Sequence, residues 1–232
     1  MNSDTSRRGF YIVIETIDGG GKDTLIKGIP ALYVQEFLGI ELVLVEEPNE
    51  HKNRMGAYIR SCLKDSSLVP SDPLVFQEYY MVDRYTTMVC DVAPALERGA
   101  VVLSNRSYLS TLAYGSIKLP ISDVSARHHE MLKSVMVQPD LALLVDVVPE
   151  EGARRIERSG KDKDYFEKDL EVQAKVRGAY LTLMQESSAR YPQQHRVIID
   201  GMAVPEVVLE RAWSVIGQHL RQWNAAHNMR KD

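Results

Sequence analysis

Residues 10–24 read FYIVIETIDGGGKDT, and the order of residue types in this stretch decides the architecture. Phe10–Glu15 is a short, almost wholly apolar run of strand type. Gly19, Gly20 and Gly21 then let the chain turn, and a stretch with helical spacing opens at Lys22. Cradling a phosphate requires this arrangement: a ring of backbone N–H groups, small residues that admit close approach, and a helix N-terminus behind them. The stretch reads as a variant phosphate-binding loop, with Lys22 placed to reach the outer phosphates of a donor nucleotide. It departs from the strict G-x-x-x-x-G-K-[ST] pattern twice. Thr16 stands at the first glycine, and Asp23 stands where a Ser or Thr hydroxyl normally holds Mg²⁺. Taken alone, the loop leaves open a glycine-rich turn without a ligand.

Working outward, apolar β-branched runs recur at Glu41–Val45, Ala100–Leu103, Leu141–Val147 and Val197–Ile199. Longer segments with helical spacing lie between or after them, at Asp72–Arg98, Phe166–Ser188 and Pro205–Trp223. Asp72 followed by Pro73 predicts an N-cap and first helical residue. Short apolar strands alternating with helices predict a parallel sheet covered on both faces. Ligands in such sheets bind beyond the carboxyl ends of the strands. Polar residues follow the runs there: Asp18 to Lys22, Glu46–Glu47–Pro48, and Ser104–Asn105–Arg106. Strand order cannot be read from this pattern. Pro30 falls inside the first helix and is expected to kink or shorten it.

The whole chain sets limits on partners. Its 232 residues suit one α/β domain, and 44% hydrophobic with 26% charged residues suits a globular protein with a sizeable core. A formal net charge of −4 argues against attachment to nucleic acid by bulk charge. Cys62 and Cys90 fit neither a disulfide framework nor a metal site. His128–His129 lacks further ligands at metal spacing and reads as a surface pair. No apolar run reaches the roughly 20 residues that span a bilayer. The expectation is a soluble cytoplasmic protein without a membrane partner.

From Phe10 to about Met184 the chain resembles the thymidylate kinases. That family's E-G-x-D-G-x-G-K-[ST]-T loop is similar to Glu15–Thr24, and its T-R-E-P segment to Val45–Glu46–Glu47–Pro48. Its aromatic-x-x-D-R segment is matched by Tyr80–Arg84, and its D-R-Y-x-x-S-x-x-A-Y segment by Asn105–Arg106–Ser107 with Ser110, Ala113 and Tyr114. Its P-D-L-x-L-x-L-D strand is matched by Pro139–Asp146. Its lid and following helix look like Asp164–Tyr165–Phe166–Glu167 with Val176, Arg177 and Tyr180.

The resemblance implies a single P-loop NTPase domain over residues 1–232, a five-stranded parallel sheet flanked by helices. It implies a short lid at about 159–166, with flexible ends over residues 1–9 and from about 225. Asp18, Gly19, Gly20, Gly21, Lys22, Asp23 and Thr24 would bind ATP. Asp18, Glu47, Tyr80, Arg84, Arg106, Thr111 and Tyr114 would bind a pyrimidine deoxynucleotide. In that set Arg106 clamps the acceptor phosphate, Tyr80 stacks on the base and Arg84 meets its edge. Tyr114 lies against the deoxyribose and disfavours a 2′-hydroxyl. Lys22, Arg106, Arg155 and Arg158 would be the catalytic cations, with Lys161 and Lys163 as looser lid additions. Some members carry an extra loop arginine where Gly20 stands here, so positive charge on the transferring group should come from the lid. Each role has a plainer rival: Tyr80 and Tyr114 as core aromatics, Arg84 paired internally with Asp83 or a neighbour, Arg155 and Arg158 as a solvated helix face. A homodimer is also implied, with Asp72–Arg98 offering an apolar face.

Four substitutions mark the chain as divergent. Asn105 stands where the family has a metal-linked aspartate, which suggests that the carboxylate has moved to Asp23. Mg²⁺ would then be held by Asp23, Glu47 and Asn105. The opposing reading is that Asp23 repels the triphosphate. Glu46 replaces the arginine of T-R-E-P, Ser107 replaces the D-R-Y tyrosine, and Thr87 stands where many members have histidine. Phosphorylation of dTMP to dTDP is the leading expectation. The alternatives are a kinase for a modified deoxypyrimidine, free or within DNA (5-hydroxymethyluracil, for example), and a non-catalytic nucleotide-binding protein with a degenerate loop. The acidity of the chain counts against DNA as acceptor.

Overall fold

The computed structural model describes residues 9–160, 164–167, 169–185 and 194–228. Five strands, β1 (Phe10–Glu15), β2 (Leu42–Glu46), β3 (Val101–Asn105), β4 (Leu141–Asp146) and β5 (His195–Asp200), form one parallel sheet in the order β2-β3-β1-β4-β5. Every residue of β1 is buried because the strand is central and covered on both faces, which is why it reads as an unbroken apolar run. Leu25, Ile29 and Tyr33 of α1 (Lys22–Glu36) and Ala212, Ile216 and Leu220 of α9 (Pro205–Asn228) pack into the main core.

Several expected boundaries move for local reasons. Pro30 does not shorten α1, which runs on to Glu36. The ring removes one backbone donor, and the buried stripe of Leu25, Ile29 and Tyr33 holds the helix together. The long helix expected from Asp72 is three pieces: α3 (Pro73–Thr87), a π-helical turn (Met88–Val92) and α4 (Ala93–Glu97). Asp72 caps it as expected, accepting from the Leu74 N–H at 2.8 Å. Pro94 has no N–H for the preceding turn, and the wider turn lies immediately before it. The helix ahead of β5, α8 (Leu170–Gln185), begins at Leu170 instead of Phe166. Before it the Asp164 carboxylate accepts from the Phe166 and Glu167 N–H groups and closes a tight turn.

The remaining helices are α2 (Arg54–Lys64), α5 (Tyr108–Gly115), α6 (Ile121–Leu132) and α7 (Pro149–Ser159). A second, smaller cluster of Ile59, Cys62, Leu63 and Phe76 joins α2 to α3, with Tyr80, Tyr165 and Phe166 at its margin. His128 corrects the surface reading: it is buried on α6 with its ring 5.8 Å from that of Tyr108, and burial pushes its pKa far down. Helix α9 continues to Asn228, so residues 225–228 are helical where a flexible end was expected. Of the start expected to be flexible, 1–9, residues 1–8 lie outside the described residues, as do the lid residues Lys161 and Lys163, while Gly9 is buried and donates its N–H to the Leu96 carbonyl. Among the described residues, no helix is long and apolar enough to cross a membrane.

Candidate active site

The loop after β1 wraps the start of α1 with Gly19 at φ 71° and Gly21 at φ 92°, both in the left-handed region that favours glycine. Space is as restrictive as torsion. A Cβ on Gly19 would stand 2.2 Å from the Gly152 carbonyl oxygen, so the loop and the first turn of α7 touch backbone to backbone. A Cβ on Gly20 would stand 1.8 Å from Thr16 Oγ1. Thr16 cannot easily yield, because its hydroxyl donates to the Val145 carbonyl at 2.7 Å. The departure at position 16 therefore explains why position 20 carries no side chain. Lys22 is four-fifths buried with Nζ 3.6 Å from Asp23 Oδ1, whereas the Asp23 side chain is 58% exposed. Burial, then the nearby Arg106 charge, pull the Lys22 pKa down. Arg155 reaches the same loop: its Nη1 lies 3.6 Å from where a Gly21 Cβ would be, while it donates to Glu151 and the Gly201 carbonyl.

Arg106 follows β3 at φ 74°, the left-handed region, and its N–H donates to the Ile14 carbonyl of β1 at 3.0 Å. That turn sends its guanidinium back across the end of β1. Nη2 pairs with Asp18 Oδ1 at 2.5 Å and approaches the Tyr114 hydroxyl at 3.2 Å. Nη1 meets the Thr16 carbonyl, Ser110 Oγ and the Tyr180 hydroxyl at 3.1 to 3.2 Å. Asp18 Oδ2 accepts from Tyr114 at 2.8 Å and from the Gln173 amide at 3.0 Å. Gln173 also receives the Asp18 N–H and donates to the Phe166 carbonyl, so one α8 amide ties the loop to the turn at Asp164–Glu167. The ring of Tyr114 lies under Arg106, 5.1 Å from its Cζ, with Phe166 edge-on at 5.0 Å.

A second network supports the other wall. Arg84, fully buried, donates to Glu47 Oε2 from Nε (2.9 Å) and Nη2 (2.6 Å), to the Ser107 carbonyl (2.9 Å) and to Thr111 Oγ1 (2.9 Å). The internal partner is Glu47 and not the adjacent Asp83. Asp83 instead accepts the Asn49 N–H, and burial beside Glu47 pushes its pKa up to about 7. Tyr80 packs edge-on to Phe76 at 5.4 Å. Ser107 N-caps α5 by accepting the Leu109 N–H and donates to Glu15 at 2.6 Å, so this replacement of tyrosine is a local structural fit.

The structure thus gathers Asp18, Arg106 and Tyr114 in one network, Glu47, Arg84 and Thr111 in another, and Lys22, Asp23, Thr24 and Arg155 around the loop. Asn105 ends β3 with its Oδ1 buried and undonated. Arg158 is exposed in the last turn of α7. Two participants have no sequence signal that assigns them a role. Gln173 is one. The other is Arg60 on α2, whose buried Nε has no hydrogen-bond acceptor and lies 3.5 Å from Glu50. Its charge acts on Lys22, Tyr80 and Asp83.

The thymidylate kinase family model matches residues 14–195. A probable thymidylate kinase of Pyrococcus horikoshii is 32% identical over 181 residues, 77% of this chain and 84% of that protein. One of Archaeoglobus fulgidus is 32% identical over 213 residues, 90% of this chain and 95% of its own. A thymidylate kinase of Xanthomonas campestris is 30% identical over 217 residues, covering 93% and 86% of the two chains. With the family model spanning residues 14–195 and relatives at 30% identity or more matched over most of both chains, the chain belongs to the thymidylate kinase family.

Proposed function

We infer that this enzyme transfers the γ-phosphoryl group of ATP to dTMP, giving dTDP, by direct in-line displacement without a covalent intermediate. The carrying observation is geometric: Lys22, four-fifths buried, opens α1 behind the glycine turn, and the left-handed backbone of Arg106 brings its guanidinium across the end of the same strand, so two cations stand where β1 and β3 end. The glycine loop and Lys22 hold the donor phosphates. Arg106 exchanges its Asp18 contact for the stronger dianion of the acceptor phosphate. Arg60 supplies a further cation whose charge acts on Lys22, offsetting the arginine that Glu46 replaces. Of the five N–H groups of Arg84, four have acceptors, and the remaining Nη1 hydrogen serves the base edge. Tyr80 offers the base a ring face, and Asp18 with Tyr114 meets the sugar. Arg155 stabilises the spreading charge, joined by Arg158 when the lid closes.

Mg²⁺ fits the residues present. Asn105 Oδ1 is a buried oxygen without a donor, and Asp23 is a carboxylate at the loop, both suited to a hard cation. Glu47 gives its Oε2 to Arg84 but keeps Oε1 buried and without a donor, so one of its oxygens is left for the ion. When bound, the ion neutralises charge on the β and γ phosphates. Val82, Tyr85 and Val89 are exposed along one side of α3 and the π turn, and they support the reading of a homodimer formed through that face. Cytoplasmic residence fits an enzyme with two unpaired cysteines and a need for ATP.

The relatives' names favour free dTMP over a modified pyrimidine or a DNA base. Labelled ATP offered with dTMP, dUMP, hydroxymethyl-dUMP or an oligonucleotide tests this, with Lys22→Ala as the control that should lose turnover. Labelling of none of them by the wild type would defeat the proposal. Titrating ATP·Mg into wild type and Asp23→Ser tests the metal assignment, and binding by the serine variant alone would reject it.

A further inference from the structure

Glu15, the last residue of β1, is a fully buried carboxylate for which the reaction outlined above has no use. Its Oε1 accepts from Ser107 Oγ at 2.6 Å. Its Oε2 accepts from Ser110 Oγ at 2.6 Å and from the Tyr180 hydroxyl at 3.0 Å. Those last two hydroxyls, 2.7 Å from each other, are also the groups that Arg106 Nη1 approaches, at 3.2 and 3.1 Å. We propose that Glu15 is a positioning residue for acceptor phosphate binding, orienting Arg106 through Ser110 and Tyr180.

Hydrogen-bond polarity gives the relay its direction. A hydroxyl has one proton and two lone pairs. An ionised carboxylate can only accept, so it draws the Ser110 and Tyr180 protons toward itself and leaves their lone pairs facing Arg106. Arginine can only donate, so the relay is satisfied in one direction. Glutamine at position 15 breaks that direction in either orientation. With its NH₂ toward Ser110 and Tyr180, a hydroxyl proton is turned onto the guanidinium. With its NH₂ toward Ser107, that hydroxyl already accepts the Leu109 N–H and its own proton loses its acceptor. Burial raises the Glu15 pKa, while the three hydroxyl donors and Arg106 oppose the rise. The second wall of the Arg106 cradle, Asp18 and Tyr114, is untouched by this change, so the clamp is loosened instead of removed.

The proposal rests on Arg106 being the acceptor-phosphate clamp, and the test separates the two claims. Dissociation constants for dTMP and for ATP are measured by calorimetry on wild type, Arg106→Met, Glu15→Gln and Tyr180→Phe, alongside thermal unfolding. Arg106→Met should abolish dTMP binding; retained binding would sink the clamp itself. Glu15→Gln should weaken dTMP by about 10- to 100-fold, as expected for a misdirected charge-assisted bond, with ATP changed by less than about twofold. Tyr180→Phe, which keeps the ring and the fold, should weaken dTMP by about 3- to 10-fold, and combining it with Glu15→Gln should add little. If Arg106→Met loses dTMP while Tyr180→Phe binds it like wild type, the clamp stands and the relay is overturned. Equal losses for dTMP and ATP in Glu15→Gln, or its failure to fold with Tyr180→Phe unchanged, would equally overturn it.

Discussion

Replacing Arg84 with Met should cost this protein much of its stability before any substrate is considered. The side chain is buried, and its loss would strip Glu47 Oε2 of two N–H donors and leave the Ser107 carbonyl and Thr111 Oγ1 each short of one. Met fills comparable length, so most of the cost comes from the stranded Glu47 carboxylate. Breaking one side of such a buried pair costs about 3–5 kcal/mol. For a urea dependence of about 2–3 kcal/mol/M, the unfolding midpoint should fall by about 1–2.5 M at pH 7. Replacing both partners, Arg84→Met with Glu47→Leu, should recover at least half of the loss, because no buried charge is then left. The single variant should also be pH-sensitive in a definite direction. Burial already raises the Glu47 pKa against the opposing pull of Arg84. Without Arg84 it rises further, so the folded state keeps a proton that the unfolded chain releases above its ordinary value. Stability then falls as pH rises through that window, and the deficit against wild type is smaller at pH 5 than at pH 8. A loss below about 1 kcal/mol, or a double variant no better than the single, would refute the reasoning.

Gly20→Ala should lower Tm and ATP affinity, since its Cβ falls on Thr16 Oγ1, and adding Thr16→Gly should restore ATP binding; calorimetry showing no restoration would place the obstacle elsewhere. Asp83 holds a proton in the folded state up to about pH 7 while the unfolded chain releases it near 4, so its contribution to stability declines as pH rises between those values. Asp83→Asn, which retains an oxygen for the Asn49 N–H, should gain on wild type by up to about 3 kcal/mol between pH 5 and pH 8, and a constant Tm difference across that range would contradict this. Tyr114→Ala should raise kcat/KM for the ribonucleotide relative to dTMP, whereas Tyr114→Phe, keeping the ring, should not; equal discrimination in both variants would remove Tyr114 from sugar selection.

The fold was legible because its signals are local. The apolar run Phe10–Glu15, the three glycines and Asp72–Pro73 each announce their element within a few residues. What stayed hidden was pairing across distance. Nothing near Arg84 says that its partner is Glu47, 37 positions away, and the adjacent Asp83 is the more obvious and incorrect choice. Arg60 belongs to none of the motifs, and only the folded chain brings its charge to bear on Lys22, Tyr80 and Asp83. His128 shows the same limit from the other side: its polarity suggested the surface, while the apolar stripe with Val124 and Leu132 carries it inside. Strand order was unreadable because an apolar run specifies burial on both faces and says nothing about its neighbours.

The contact between Thr16 and Gly20 also gives sequence drift a direction. A lineage carrying Thr16 cannot acquire a side chain at position 20 in one step, because the newcomer would land on a hydroxyl already held by Val145. The threonine must shrink first, passing through an intermediate that leaves the Val145 carbonyl without that donor. Descendants of this loop are therefore expected to keep glycine at position 20 for as long as they keep a β-branched residue at position 16, whatever nucleotide the rest of the cleft comes to prefer.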